Sequence, residues 1–124
     1  MNTSNVPYNC VILDDEAIMI KIIERYISNI ENLKLVGSFT SPVDAMAAFK
    51  HYQQVDFLFL DIEMDVSGFD IARMLRNNVK FIVFISSHSI YAISDLVNGD
   101  KLLVKPVDFR TFHDAVNQLI SKTR

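Results

Sequence analysis

Several things are scarce or missing in this 124-residue chain, and each closes off a class of protein. There is one cysteine, Cys10, so no internal disulfide can form. Its place in the apolar run CVIL predicts a buried thiol and fits a reducing compartment. Positive charge is not in excess: the formal net charge is -3, so no global field draws the chain to nucleic acid or anionic lipid. No basic stripe and no winged or helix-turn-helix segment is present, and direct DNA binding is not expected. The first residues, MNTSNVPYN, lack a basic patch followed by an apolar stretch, so no signal peptide is read there. No apolar run approaches the length of a membrane span. The expected location is the cytoplasm. Linkers, low-complexity tracts and internal repeats are also missing, apart from a regular alternation of two patterns.

That alternation is what the chain does have. It is 50% hydrophobic and 22% charged, a balance that reads as one globular domain with a real core rather than a disordered segment. Short apolar runs alternate with helix-period segments. Asn9 to Leu13, Leu33 to Phe39, Asp56 to Leu60, Lys80 to Ile85 and Leu102 to Val104 read as strands. Helices are expected from Glu16 to Ile30, from Pro42 with Ser41 as N-cap, and from Phe69 to Arg76. Two more are expected over Ile90 to Val97 and Asp108 to Ser121. In the first helix Ile18, Ile22, Tyr26 and Ile30, flanked by Met19, Ile23 and Ile27, trace a broad buried stripe. In the last, Phe109, Phe112, Val116, Leu119 and Ile120 share a face. Met19, Met46, Met64 and Met74 read as core fillers. Five β–α units with central strands apolar on both faces imply an α/β fold, a parallel sheet covered by helices on both sides. The flavodoxin-like doubly wound order 2-1-3-4-5 is the natural one for that count.

In such a sheet, ligands bind outside the carboxyl ends of the strands. The first run ends in Asp14, Asp15 and Glu16, the third in Asp61 and then Glu63. The fourth ends in Ser86, Ser87 and His88, and the fifth in Lys105 and Pro106. Three aspartates, a hydroxyl and a lysine thus converge on one edge. Hard oxygen ligands at an open site suit Mg²⁺, which would relieve the repulsion among Asp14, Asp15 and Asp61. A carboxylate can attack phosphorus to give an acyl phosphate, Lys105 can pair with the added charge, and Ser86 can donate to a phosphoryl oxygen. Each residue has an ordinary reading too. Carboxylates after strands often cap the next helix, a lone serine is a turn residue, and Lys-Pro is a surface bend. Four independent strand ends would have to coincide for all of these to hold at once.

The pattern LDDE … FLFLDIEM … FISS … LLVKP, over about residues 8 to 122, resembles the receiver domain of two-component response regulators. The segments LVGSFTSPVDAM, FLDIEM, SIYAI and KPVDFRTFHDAVNQL are especially similar to receivers of LytTR-type regulators. The resemblance implies that Asp61 is the phosphoacceptor. Asp15 would be a direct Mg²⁺ ligand, Asp14 a water-mediated one, and the backbone carbonyl of Glu63 a further one. It also implies that Ser86 is the switch hydroxyl, that Lys105 is the phosphate-pairing lysine, and that the Lys105-Pro106 bond is cis. The chain departs from the family pattern at four places. Asp65 stands where a proline is usual, in a loop to Gly68 that is one residue short, and is expected to face water. Leu102 stands where an aromatic switch residue is common and cannot swing a polar-tipped ring. Val97 to Leu102 is a residue short. Ser86 replaces the commoner threonine, keeping the hydroxyl and losing a methyl.

The domain reading is an extension over residues 1 to 7, a receiver over 8 to 122, and a tail or linker start at 123 to 124. The implied partner is a sensor histidine kinase, with a LytTR-type DNA-binding output domain beyond the chain end and a homodimer through the last helices and strands as further partners. Two other functions fit parts of the pattern. One is an interaction module that works without phosphorylation, kept open by Asp65, Leu102 and the shortened loops. The other is a haloacid dehalogenase-like phosphohydrolase, which would want an aspartate where Glu63 stands, and a cap domain. His51 and His113 are expected on solvated helix faces. His88, two residues after Ser86, stands where it could limit water's access to a phosphoaspartate.

Overall fold

The structure is a computed structural model that describes residues 6–88 and 98–122. Its strands are β1 (Tyr8–Leu13), β2 (Leu33–Phe39), β3 (Val55–Asp61), β4 (Val79–Ser86) and β5 (Lys101–Val104). Its helices are α1 (Ala17–Ser28), α2 (Pro42–Phe49), α3 (Gly68–Leu75) and α4 (Phe109–Ser121). The helix expected over Ile90 to Val97 lies outside the described residues. The five strands are all parallel, in the order β2-β1-β3-β4-β5.

The reason the central strands carry no polar face is visible in the packing. Cys10, Ile12, Phe57, Phe59, Phe81, Val83 and Ile85 point to one side, under Ile23 and Ile27 of α1 and Phe112, Val116 and Leu119 of α4. Val11, Leu13, Leu58, Leu60, Ile82 and Phe84 point to the other, under α2 and α3. With period 2, a strand covered on both faces must be apolar throughout. Cys10 is buried as expected, and burial pushes its thiol up to about 12, so it stays protonated. Ser41 caps α2, accepting a hydrogen bond from the Asp44 N–H at 3.4 Å, with Pro42 in the first turn.

The helix faces differ from the sequence reading in two places. Ile18 is 65% exposed, and Ile20 is buried instead. Apolar residues on most of the helix surface are more than one stripe can hold, and the face against the sheet is the one that carries Met19, Ile20, Ile23 and Ile27. Met74 is 56% exposed rather than a core filler, whereas Met19 is buried and Met46 and Met64 pack partly into the core. His51 sits in the turn after α2 and is exposed, and His113 lies on α4, partly exposed.

Polar contacts of Tyr26 and Arg76 reinforce the packing on the two sides of the sheet. The Tyr26 hydroxyl of α1 donates to the Val107 carbonyl at 2.7 Å, beside the rings of Phe109 and Phe112. Tyr26→Phe is expected to lower the unfolding free energy by about 1 kcal/mol, read from urea denaturation with an unchanged slope. On the opposite side, Arg76 follows α3 in a short 3₁₀ turn (Arg76–Asn78). Its guanidinium donates to the carbonyls of Asn98 (3.2 Å), Val79 (3.0 Å) and Lys80 (2.6 Å), and to Asp100 Oδ2 (2.8 Å). Asp100 Oδ2 also accepts from the Ile82 N–H at 2.7 Å, and the Asp100 N–H donates to the Ile82 carbonyl at 2.8 Å.

Candidate functional site

Strand register brings the polar residues together. Leu13 pairs with Leu60, which leaves Asp14 and Asp61 as the next residues along neighbouring strands. Asp61 pairs with Ile85, and Ser86 with Val104, so Ser86 and Lys105 follow one step further across the sheet. The Lys105 N–H donates to the Ser86 carbonyl at 2.7 Å, and the Lys105-Pro106 bond is cis, as the resemblance implied. The loop from β3 returns tightly to α3 because position 68 is glycine. A Cβ there would lie 2.4 Å from the Asp61 carbonyl oxygen and 2.8 Å from the Ile62 Cα, closer than any side chain tolerates.

Among the described residues, Asp14, Asp15 and Asp61 form a group whose carboxylate oxygens lie within 4.8 Å of one another. Asp14 is 2% exposed and Asp61 1%, whereas Asp15 is open to solvent. Asp14 Oδ1 accepts the Glu16 N–H at 2.8 Å, and Asp61 Oδ1 accepts the Glu63 N–H at 3.1 Å. Asp14 Oδ2 is buried without a hydrogen-bond partner. Among the described residues the nearby cation is Lys105, with Nζ at 2.8 Å from Glu16 Oε1, 3.6 Å from Asp14 Oδ2 and 3.7 Å from Asp61 Oδ1.

One ammonium does not neutralise this cluster. Burial, and then the Asp14 charge, push the Asp61 carboxyl up to about 7, and burial likewise raises Asp14. Burial works against the charge of Lys105. The Glu16 hydrogen bond and the charges of Asp14 and Asp61 outweigh it, and the Lys105 pKa is raised. Clustered hard oxygens, one of them buried and unbonded, fit a small divalent cation. The cluster opens on a cleft of about 330 Å³ lined by Asp15, Glu16, Asp61, Glu63, Ser87 and Lys105.

Ser86 is fully buried at the edge of this cleft. Its hydroxyl donates to Glu63 Oε2 and accepts the His88 N–H at 2.9 Å. Glu63 Oε1 accepts the Ser87 N–H at 2.9 Å, and His88 Nδ1 lies 3.6 Å from Glu63 Oε2. Asp65 is exposed to water, as expected, and Leu102 packs partly buried into the apolar cluster under α2 and α3. Two side chains have roles the sequence did not suggest: Glu16, which pairs with Lys105, and Glu63, whose carboxylate reaches Ser86. The run LDDE contains Glu16, but nothing in its spacing distinguishes a partner of Lys105 from a helix N-terminal residue.

This arrangement of strands and helices is shared with known proteins. The response regulatory domain of protein mrkE from Klebsiella pneumoniae superposes with a TM-score of 0.81 at 23% identity, over 92% of this chain and 96% of that one. The response regulator protein TrrA from Thermotoga maritima, in complex with Mg²⁺ and beryllium fluoride, gives 0.77 at 21% identity, over 90% and 98%. At these identities the likeness shows the fold. In sequence, Stress response regulator protein 1 of Debaryomyces hansenii is 30% identical over 116 residues, covering 86% of this chain and 47% of that protein. The chain therefore spans about half the length, or less, of the curated relatives it matches. Among the described residues no helix is long and apolar enough to cross a membrane. Residues 10–117, nearly the whole sheet and the acidic edge with it, match the model of the response regulator receiver domain, and the chain belongs to that family.

Proposed function

We propose that this chain is a phosphoacceptor switch: a histidine kinase transfers a phosphoryl group to Asp61, and the new charge repacks an output or dimerisation surface. The observation that carries this reading is the buried Asp61 carboxylate, open to the cleft and set between the Asp14 carboxylate and the Lys105 ammonium. An Asp61 oxygen attacks phosphorus. The new O–P bond replaces the P–N bond of the donor phosphohistidine, whose imidazole leaves with the bonding electrons and takes up a proton. Lys105, 3.7 Å from Asp61 Oδ1, pairs with the added charge. Ser86 donates to a phosphoryl oxygen. Asp14, Asp15, Asp61 and the Glu63 backbone carbonyl would hold Mg²⁺, which supplies charge neutralisation for the transferring group. His88, with Nδ1 3.6 Å from the cleft-lining Glu63, would limit water's access to the phosphoaspartate.

The finer reading is a LytTR-type receiver over residues 8 to 122, flanked by residues 1–7 and 123–124. It works in the cytoplasm, acts on a LytTR-type DNA-binding output domain and self-associates as a homodimer. Its support is the sequence segments SPVDAM, FLDIEM and KPVDFRTF. The central test is intact mass after incubation with acetyl phosphate and Mg²⁺. One added phosphoryl group is expected, absent without Mg²⁺ and absent in Asp61→Asn. An unmodified wild-type protein, or an adduct that survives in Asp61→Asn, overturns the proposal.

A further inference from the structure

We infer that the Glu63 carboxylate is a latch on Ser86, holding its hydroxyl away from Asp61 until a phosphoryl group competes for it. The inference rests on the role of Ser86 proposed above. It adds a positioning residue that acts through Ser86 and does not touch phosphorus.

A serine hydroxyl has one proton to donate. Here that proton goes to Glu63 Oε2, while the Ser86 oxygen accepts the His88 N–H at 2.9 Å. Ser86 is 0% exposed, so in this arrangement both contacts are made out of reach of bulk water. The hydroxyl therefore cannot serve a phosphoryl oxygen and Glu63 at the same time. Glu63 also grips the backbone beside it, since Oε1 accepts the Ser87 N–H at 2.9 Å. The carboxylate thus spans two successive residues where the chain leaves β4, and it fixes both the hydroxyl and the backbone that carries it. Hydrogen bonds to an ionised acceptor are roughly twice as strong as neutral ones, so the resting arrangement is held firmly. A phosphoryl group on Asp61 offers Ser86 a more highly charged acceptor. It also places like charge near Glu63, and both effects favour release.

Two measurements test the latch. In the unphosphorylated protein, Glu63→Ala should speed amide hydrogen exchange at Ser87 and His88 while leaving the amides of β1 and β3 unchanged. Unaltered exchange at Ser87 and His88 would mean that no latch exists. The second uses beryllium fluoride with Mg²⁺ as a stable phosphoryl mimic, titrated into wild type, Glu63→Ala, Ser86→Ala and the double variant. Glu63→Ala should bind the mimic about tenfold more tightly, corresponding to about 1.4 kcal/mol. Glu63→Gln, which keeps one acceptor oxygen, should fall between. In the Ser86→Ala background the gain should vanish. A gain that persists there means that Glu63 acts by repelling the incoming anion, and overturns the inference. If wild type binds no mimic at all, the phosphoacceptor reading fails, and the exchange measurement still decides the latch.

Discussion

Asp61→Asn should make the protein more stable than wild type, by about 2–4 kcal/mol at neutral pH without divalent ions. The cause is the elevated Asp61 pKa. In the fold its carboxyl is pushed up to about 7 by burial and by Asp14, against 3.8 when exposed. Between those two values the folded protein binds a proton that the unfolded chain has released, so stability falls as pH rises through the window and stays low above it. A shift of this size corresponds to at most about 4 kcal/mol. Asparagine keeps the acceptor for the Glu63 N–H, now at 3.1 Å, and carries no charge. Its unfolding free energy should therefore be higher at neutral pH and nearly flat between about pH 4 and pH 7, apart from a residual slope from Asp14. Adding Mg²⁺ should stabilise wild type and flatten its slope, and should do neither in the variant. Urea denaturation across pH, with and without Mg²⁺, checks all three statements. A variant less stable than wild type at neutral pH would show that the cluster is not strained by its own charge.

Lys105→Met should have a large effect of the opposite sign, a loss of about 3 kcal/mol at neutral pH. Lys105 is 14% exposed at its side chain and faces Glu16, Asp14 and Asp61 within 3.7 Å. Methionine fills similar volume and leaves those carboxylates without their cation. The raised pKa of Lys105 means that its stabilising contribution is complete below its unfolded value of 10.5 and is lost only as pH rises through the still higher folded value. The pH dependence of the loss over the neutral range therefore comes from the carboxylates. It should shrink near pH 5, where Asp61 is protonated, and shrink again when combined with Asp61→Asn. Equal losses at both pH values would mean that the lysine stem matters for packing and its charge does not.

What could be read from the sequence follows from where apolar runs stop. β1, β3 and β4 are covered on both faces, so the polar residues at which their apolar runs stop (Asp14, Asp61 and, past Ile85, Ser86) mark the sheet edge without any knowledge of partners. Parallel connection then puts those edges together, and Lys105 with them. Other features depend on distances that no spacing encodes. Glu63 reaches Ser86 across to the neighbouring strand, and Glu16 reaches Lys105 from the start of α1. Arg76 finds its acceptors 22 and 24 residues further on, at Asn98 and Asp100. Nothing in the sequence marks Ile18 as the exposed position, because a helix with apolar residues on most of its surface does not announce which few remain uncovered.

The Arg76 contacts bear on how any rearrangement travels. One guanidinium holds the chain entering β5 at Asn98 and Asp100, together with the first two residues of β4. Sliding β5 along its neighbour would break that grip and both hydrogen bonds between Asp100 and Ile82. The strand is thus pinned at its foot, and a displacement started beside Ser86 and Lys105 would become a swing about that pivot. Its travel would be greatest at the Ser86 and Lys105 end and would fade toward the opposite rim.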